Sequence, residues 1–566
     1  MWKIRLVQLW FLCVFTLPSS GQDVPRRPHI IFILADDLGF NDVGYRGGDQ
    51  IPTPNLDALA YSGVILDNYY VQPLCTPSRS ALLTGRYPIR NGMQGLAFLP
   101  DDPVGLPEDE RTLAEHLQEL GYDTQMVGKW HLGYCRVDTA SSPAQPLNFL
   151  GWDMRNGMDK VEDSQGTYAT RLFTDKAVEI IANHDEQPLF LYLAHLAAHG
   201  PMVNATLAPP EVAARFSYIE DDFRRDTVAN IVLLDQAIGE IVKALDDAGM
   251  LENSIIVFSS DNGGNTGPMV FAGTGDSSNY PLKGTKASLF EGGTRVPGFI
   301  FSPLISARSR LSSKLTHMVD WFPTLYAAAG GNVSEILSQT ELDSFDQWKW
   351  LAEGEGPVGD YGIREEMLYN IDENIPTAAI RIGKWKYITG PQMMNNVIWN
   401  VSLNGWFGDS GRLNLTTQED LDAYNDVLEW TSQMNLAGQI LSRKGWLPSG
   451  EIMEELRAAA EVQCNDDDGN GGLCDPGVAP CLFDIEADPC EKNNLLASDH
   501  ELCDPESGLD CEKVAEMLRN RIGYFTENVM IPSVLDGTER DPKANPDSHG
   551  GFWTNWMDYD QSRNQN

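Results

Sequence analysis

Apolar positions in this chain gather into short unbroken runs that stop abruptly at acids, amides or histidine. His29-Ile-Ile-Phe-Ile-Leu-Ala-Asp36-Asp37 is one such run, closed by two carboxylates. Pro188-Leu-Phe-Leu-Tyr-Leu-Ala-His195 repeats the pattern, and Ser254-Ile-Ile-Val-Phe-Ser-Ser260 runs into Asp261-Asn262-Gly263-Gly264. Such runs, without polar alternation, predict strands buried on both faces that deliver polar side chains at their carboxyl ends. Between them the spacing changes: Ile231, Leu234, Ile238, Ile241 and Leu245 recur every three or four residues before Gly249, which predicts an amphipathic helix. Strands alternating with helices predict an α/β fold, a sheet between helices with ligands at the strands' carboxyl ends.

After about residue 365 the texture shifts. Ala378-Ala-Ile-Arg-Ile-Gly383 and Lys384-Trp-Lys-Tyr-Ile388 predict a β-hairpin, and the expected division is a large α/β domain over 22–365, a smaller α+β domain over 366–532 and an irregular tail over 533–566. At the other end, Lys3 and Arg5 precede the apolar run Leu6–Leu17 and the small residues Ser19, Ser20 and Gly21, so residues 1–21 read as a secretory signal peptide. That run is short of the ~20 residues a spanning helix needs, and no stable membrane insertion is expected.

Composition narrows the function. The 566 residues are 42% hydrophobic and 22% charged, enough for a sizeable core. Asp and Glu number 81 against 41 Lys and Arg, and a net charge of −40 repels nucleic acid over most of the surface. Of nine cysteines, Cys464, Cys474, Cys481, Cys490, Cys503 and Cys511 crowd into one segment. In an oxidising compartment this predicts a local disulfide framework with fifteen possible pairings. Sequons at Asn204, Asn332, Asn400 and Asn414 fit the same export route, to the cell exterior or the lysosome. Cys75 and Cys135 stand apart.

Cys75 lies in Pro73-Leu-Cys75-Thr-Pro-Ser-Arg79-Ser-Ala-Leu-Leu-Thr-Gly-Arg86, just before a predicted helix. This stretch resembles the Cys-x-Pro-x-Arg motif of the type I sulfatases, in which a dedicated formylglycine-generating enzyme oxidises the cysteine. A second block, Gly121-Tyr-Asp-Thr-Gln-Met-Val-Gly-Lys129-Trp-His131-Leu-Gly133, resembles that family independently, and the resemblance runs from about residue 28 to beyond 390. It implies an alkaline-phosphatase-like fold: a large, mostly parallel mixed sheet between helices, with a smaller C-terminal antiparallel sheet. Within the family, Leu83–Arg90, Pro281–Lys286 and Glu291–Arg295 are most similar to the arylsulfatase B group, the N-acetylgalactosamine-4-sulfatases. The expected substrates are therefore aryl sulfates and a sulfated hexosamine of a glycosaminoglycan or similar polysaccharide.

Sulfate ester cleavage needs such residues. The ester is an anion and charge builds on the leaving oxygen, so a hard cation and fixed positive groups are required. Asp36, Asp37, Asp261 and Asn262 offer oxygen ligands suited to Ca²⁺ or Mg²⁺. The resemblance implies one Ca²⁺, with the formylglycine at position 75 completing its shell. It also implies that formylglycine hydrate attacks sulfur, that Arg79 orients it, and that Lys129 and Lys286 hold sulfate oxygens. His199 then protonates the leaving alcohol, and His131 takes a proton so that sulfate departs as the aldehyde reforms. His195, four residues earlier, is the alternative to His199.

Other features stay open. The arylsulfatase B likeness implies cysteines between the two motifs, but residues 95–120 hold none, so Cys135 either pairs with a C-terminal cysteine or remains free. Asp466-Asp-Asp-Gly-Asn-Gly471 opens like an EF-hand loop but lacks its closing Glu, and reads as a solvated acidic turn. Trp399, Trp406 and Phe407 fit either a sugar cleft or core packing. Competing functions are a non-catalytic carbohydrate-binding protein with unmodified Cys75, and a phosphate or phosphonate monoester hydrolase.

Overall fold

Five strands carry the centre of the molecule: β1 (His29–Ala35), β2 (Asp123–Lys129), β3 (Leu189–Ala194), β4 (Ser254–Ser260) and β5 (Gly298–Phe301). The computed structural model describes residues 26–99, 101–133, 166–200, 208–266, 276–354, 364–392, 402–407, 411–464, 474–497, 503, 509–539 and 542–545, with the backbone of three short strands inside 147–160. The expected signal peptide, Cys135, Asn204, Trp399, Asn400, the acidic stretch 466–471 and the end of the tail lie outside the described residues.

The main sheet has ten strands, in the order Arg310–Ser312, Val64–Leu66, β5, β4, β1, β3, β2, Leu147–Phe149, Met154–Asn156 and Asp159–Lys160. Its middle, β4-β1-β3-β2, is parallel throughout, and β5 runs antiparallel to β4. The unbroken apolar runs are explained by helices on both faces. In β1, Ile31, Ile33 and Ala35 enter one core and Ile30, Phe32 and Leu34 enter the other. Each buried Ile, Leu or Phe among them contributes roughly 1.5–3 kcal/mol.

Helices α1 (Pro54–Ser62), α2 (Cys75–Thr84), α3 (Ala169–Ala182) and α4 (Asp222–Asp247) surround this sheet. The predicted stripe Ile231, Leu234, Ile238, Ile241 and Leu245 is the buried face of α4. Its start is capped by Asp221 Oδ1, which accepts from the amides of Phe223 (2.9 Å) and Arg224 (2.8 Å). The chain returns late to this layer: α5 (Leu436–Arg443) and α6 (Gly450–Ala460) bury Ala437, Ile440, Leu441, Leu456 and Ala460 in the core that holds Ile231 and Ile238.

A second, antiparallel sheet joins Glu366–Asp372, Thr377–Ile382, Trp385–Thr389 and Cys481–Asp484. The expected hairpin is its centre, with Ile382 opposite Trp385. Helix α7 (Cys511–Asn528) packs Ala515, Leu518 and Phe525 over Leu368, Ile380 and Tyr387. The sheet's other face meets the main body through a buried ion cluster, in which Lys386 Nζ lies 2.8 Å from both Glu291 Oε1 and Glu491 Oε1. The six clustered cysteines pair locally as Cys464–Cys490, Cys474–Cys481 and Cys503–Cys511. No helix among the described residues is long and apolar enough to cross a membrane.

Candidate active site

Parallel pairing brings four strand ends to one edge of the sheet. Beyond β1 come Asp36 and Asp37, beyond β4 Asp261 and Asn262, beyond β3 the segment to His199, and β2 ends in Lys129. Backbone bonds extend the register past the strands: Asp261 N donates to Ala35 O (3.0 Å), Asp36 N to Ala197 O (2.9 Å) and Ala198 N to Asp36 O (2.7 Å). Asp37 and His131 take left-handed backbone, φ 60° and 58°, at a cost of roughly 1–2 kcal/mol each. Gly128 is required beside Lys129, because a Cβ there would fall 1.9 Å from Ala194 O.

Helix α2 supplies the remaining groups. Cys75 is its first residue and Arg79 lies one turn on, both fully buried. Arg79 Nη2 and Nε donate to Asp261 Oδ2 at 2.7 and 3.1 Å, and Nη1 donates to Lys129 O at 2.6 Å. Lys129 Nζ lies 2.7 Å from Asp36 Oδ2 and 3.4 Å from Cys75 Sγ. Lys286 Nζ reaches both oxygens of Asp37, at 2.6 and 2.8 Å. Ten residue positions expected from the sequence thus meet at one place, around a buried thiol.

Charge decides the ionisation here. Burial alone would raise the Asp36 and Asp37 carboxyls, but the ammoniums of Lys129 and Lys286 override it and hold both below the usual range. The same pairs hold the two ammoniums above theirs, against burial. Burial, reinforced by the Asp261 charge, pushes the Cys75 thiol up to about 12. Free Cys75 is therefore a neutral thiol at physiological pH, not a nucleophilic thiolate.

The ligand-bearing atoms of Asp36, Asp37, Cys75 and Asp261 all lie within 4.8 Å of one another. Beside them Asn262 Nδ2 donates to Asp37 Oδ1 (2.7 Å) and Gly263 O (2.9 Å), while Asn262 Oδ1 is buried with no hydrogen-bond partner among the described residues. A spare amide oxygen among three carboxylates suits a hard divalent cation, since an orphaned acceptor is otherwise costly.

The chain matches the Sulfatase family over residues 28–331. It belongs to the sulfatase family. Mouse arylsulfatase J is 36% identical over 563 residues, covering 95% of this chain and 82% of its own, and human arylsulfatase A is 32% identical over 409 residues, covering 65% and 76%. Among solved structures, Ps i-CgsB is 25% identical with a TM-score of 0.63 over 90% of this chain and 94% of its own. In its complex with k-i-k-neocarrahexaose the values are 28%, 0.56, 76% and 98%. The protein is thus a sulfuric ester hydrolase with an alkaline-phosphatase-like fold.

Two histidines of this sulfatase stand at the site and a third stands away from it. His131 Nε2 bonds Phe98 O at 2.8 Å, which places the proton on Nε2 and leaves Nδ1, buried and without a partner among the described residues, as a lone pair. Burial and the Lys129 charge keep this ring far below its ordinary value, hence neutral. His199 is partly open to solvent; its Nδ1 bonds Gly200 O (2.6 Å) and its Nε2 lies 3.7 Å from Asp37 Oδ2. His195 is instead fully buried against Phe173, and burial lowers it to about 3.

Thr76 escaped the sequence reading. Its hydroxyl donates to His131 O (2.9 Å) and accepts from Phe98 N (3.2 Å), tying the two loops that orient His131 to the residue after Cys75. A hydroxyl between the cysteine and proline of the motif was the one available sign.

Proposed function

We propose that this sulfatase removes sulfate from a sulfated saccharide, with a hexosamine of the kind handled by the N-acetylgalactosamine-4-sulfatase group as the leading candidate, through formylglycine at position 75 and a Ca²⁺ ion. The observation that carries this reading is the convergence of Asp36, Asp37, Cys75 and Asp261 within 4.8 Å, flanked by three buried cations. Asp36, Asp37, Asp261 and Asn262 would hold the ion. When present, the ion supplies positive charge against the sulfate and the aldehyde hydrate supplies an oxygen nucleophile that the neutral thiol cannot.

The chain's own groups perform the rest. Arg79 fixes Asp261 and, through Lys129 O, the end of β2. Lys129 and Lys286 turn from carboxylates to the sulfate oxygens, holding the anionic ester in line against repulsion. His131 Nδ1 accepts a proton from the hydroxyl at position 75. His199, whose Nδ1 proton is held by Gly200 O, becomes the imidazolium by gaining a second proton on Nε2 beside Asp37, and donates that proton to the departing alcohol from the solvent-facing side. Local pairing of all six clustered cysteines supports maturation in the secretory pathway, for secretion or the lysosome.

Rates on matched 4-nitrophenyl sulfate and phosphate, followed by a panel of defined sulfated oligosaccharides, test this reading. Preference for the sulfate and release of sulfate from a hexosamine are expected. Faster phosphate hydrolysis would favour the phosphomonoesterase alternative, and no release from any sugar would remove the saccharide assignment.

A further inference from the structure

A recess beside the site is walled by Pro73, Leu74, Leu96, Ala287, Ile375 and the polar pair Asn370 and Asp372. Its walls adjoin the catalytic groups in sequence. Leu74 precedes Cys75, Ala287 follows Lys286, and Ala287 N donates to Pro73 O at 2.8 Å. Leu96 is two residues from Phe98, whose carbonyl holds His131.

The polar pair reaches this recess because of an irregularity in the second sheet. Up to Leu368 the strand pairs in simple register, Met367 with Arg381 and Leu368 with Ile380. Tyr369 is then an extra residue, and Asn370 pairs with Ala379 and Asp372 with Thr377. This bulge moves Asn370 and Asp372 onto the face of Met367 and Arg381, away from the α7 core that takes Leu368 and Ile371. Without it, Asn370 would point into that apolar core.

What the pair offers is specific. Asn370 is 5% exposed, and its Oδ1 is buried with no hydrogen-bond partner among the described residues. Asp372 is 7% exposed and, among the described residues, accepts only from its own turn, Asn374 N at 2.9 Å and Ile375 N at 3.2 Å. Opposite it stands Gly95, whose φ of 94° favours glycine. Gln392 braces the floor, accepting from Leu289 N (2.8 Å) and donating to Thr377 Oγ1 (2.6 Å). The Asn370 amide and the Asp372 carboxyl thus share the recess with a lining of aliphatic side chains. Neighbouring hydroxyls on a ring with an apolar face answer both features, whereas a second sulfate would meet the Asp372 carboxylate.

We propose that this recess, with about 40 Å³ of free volume, takes free hydroxyls at the edge of the sugar bearing the sulfate, where Asn370 and Asp372 accept their hydrogen bonds and Asp372 excludes another sulfate at that position. The inference rests on the saccharide reading above and specifies it: the preferred substrate is a singly sulfated ring with unsubstituted neighbouring hydroxyls. A site built around substrate hydroxyls discriminates strongly, because a ligand lacking them leaves buried acceptors unpaired.

The test uses the full chain with Cys75 converted, 4-nitrophenyl sulfate, and disaccharides carrying one or two sulfates on the terminal ring. Asn370→Ala and the near-isosteric Asp372→Asn should each lower the ratio of kcat/KM on the monosulfated sugar to that on the aryl ester about tenfold, as expected for one lost hydrogen bond to a polar substrate. Asp372→Asn should also raise the ratio of disulfated to monosulfated sugar by about tenfold. Unchanged ratios, or equal losses on sugar and aryl ester, would overturn the subsite. Leu96→Ala, at the exposed rim, supplies a variant that cannot unfold the core, and it too must shift the sugar-to-aryl ratio. A wild type that cleaves the aryl ester but no sugar would overturn the saccharide reading and this subsite together, and a converted wild type inert toward the aryl ester would overturn the proposed active site itself.

Discussion

Arg79 and Asp261 are joined through a single carboxylate oxygen, which accepts from Arg79 Nη2 at 2.7 Å and Nε at 3.1 Å with neither side chain exposed. The guanidinium also holds Lys129 O, so one side chain ties α2, β2 and the end of β4. Removing one member of a buried pair leaves an uncompensated charge, which costs about 3–5 kcal/mol. Arg79→Ala should lower Tm accordingly and reduce aryl sulfate turnover at least about a hundredfold. Arg79→Lys should restore part of the stability but little of the rate, because an ammonium cannot form the fork. Melting curves and initial rates on the same preparations check both.

The raised Cys75 thiol gives a pH prediction for unconverted protein. Its proton is held below a value of about 12, so the thiolate fraction grows tenfold per pH unit toward that value. At pH 8 this fraction is on the order of 10⁻⁴. Alkylation of Cys75 by iodoacetamide in the folded state should be negligible at pH 7–8 and become rapid only after unfolding. Prompt labelling of the native thiol at neutral pH would contradict the account of its environment.

Metal removal is the third check. Protein stripped with a chelator should regain Tm on adding Ca²⁺, with a stabilisation of about 2.7 kcal/mol at a hundredfold excess over Kd. Asn262→Ala and Asp37→Asn should weaken that response. A Ca²⁺-induced shift of equal size in both variants would place the ion elsewhere.

These groups were legible in the sequence to different degrees. Asp36, Asp37, Asp261 and Asn262 could be read because a parallel strand buried on both faces is an unbroken apolar run, and its carboxyl end is where the run stops. The two histidines after β3 could not be separated that way. Only in three dimensions does His195 pack on Phe173 while His199 turns toward Asp37. The extra residue at Tyr369 left no compositional trace, because a bulge alters register and not residue type. For a similar reason α5 and α6 were missed. Ala437, Ile440 and Leu441 form a stripe too short to announce which core it joins, and they return to the first sheet's helical layer across a long stretch of chain.

The acidic surface makes a fourth prediction. At a net charge of −40 a long polyanionic chain must cross a repulsive field that reaches about 10 Å at 0.1 M salt. Rates on long sulfated chains should rise with moderate salt and then fall as anions compete at Lys129 and Lys286, while rates on short or chain-terminal substrates should only fall. A steady decline for both classes, or preferential release from chain interiors, would contradict this.

The central claim is that Cys75 acts only after conversion to an aldehyde. Peptide mass spectrometry across residue 75, on protein from its native cell and with turnover measured on the same sample, tests it most directly. The account predicts formylglycine at position 75 in the active protein, with no sustained multiple turnover in Cys75→Ser or Cys75→Ala despite a wild-type fold. An unmodified thiol in fully active protein, or continued cycling by the serine variant, would contradict it.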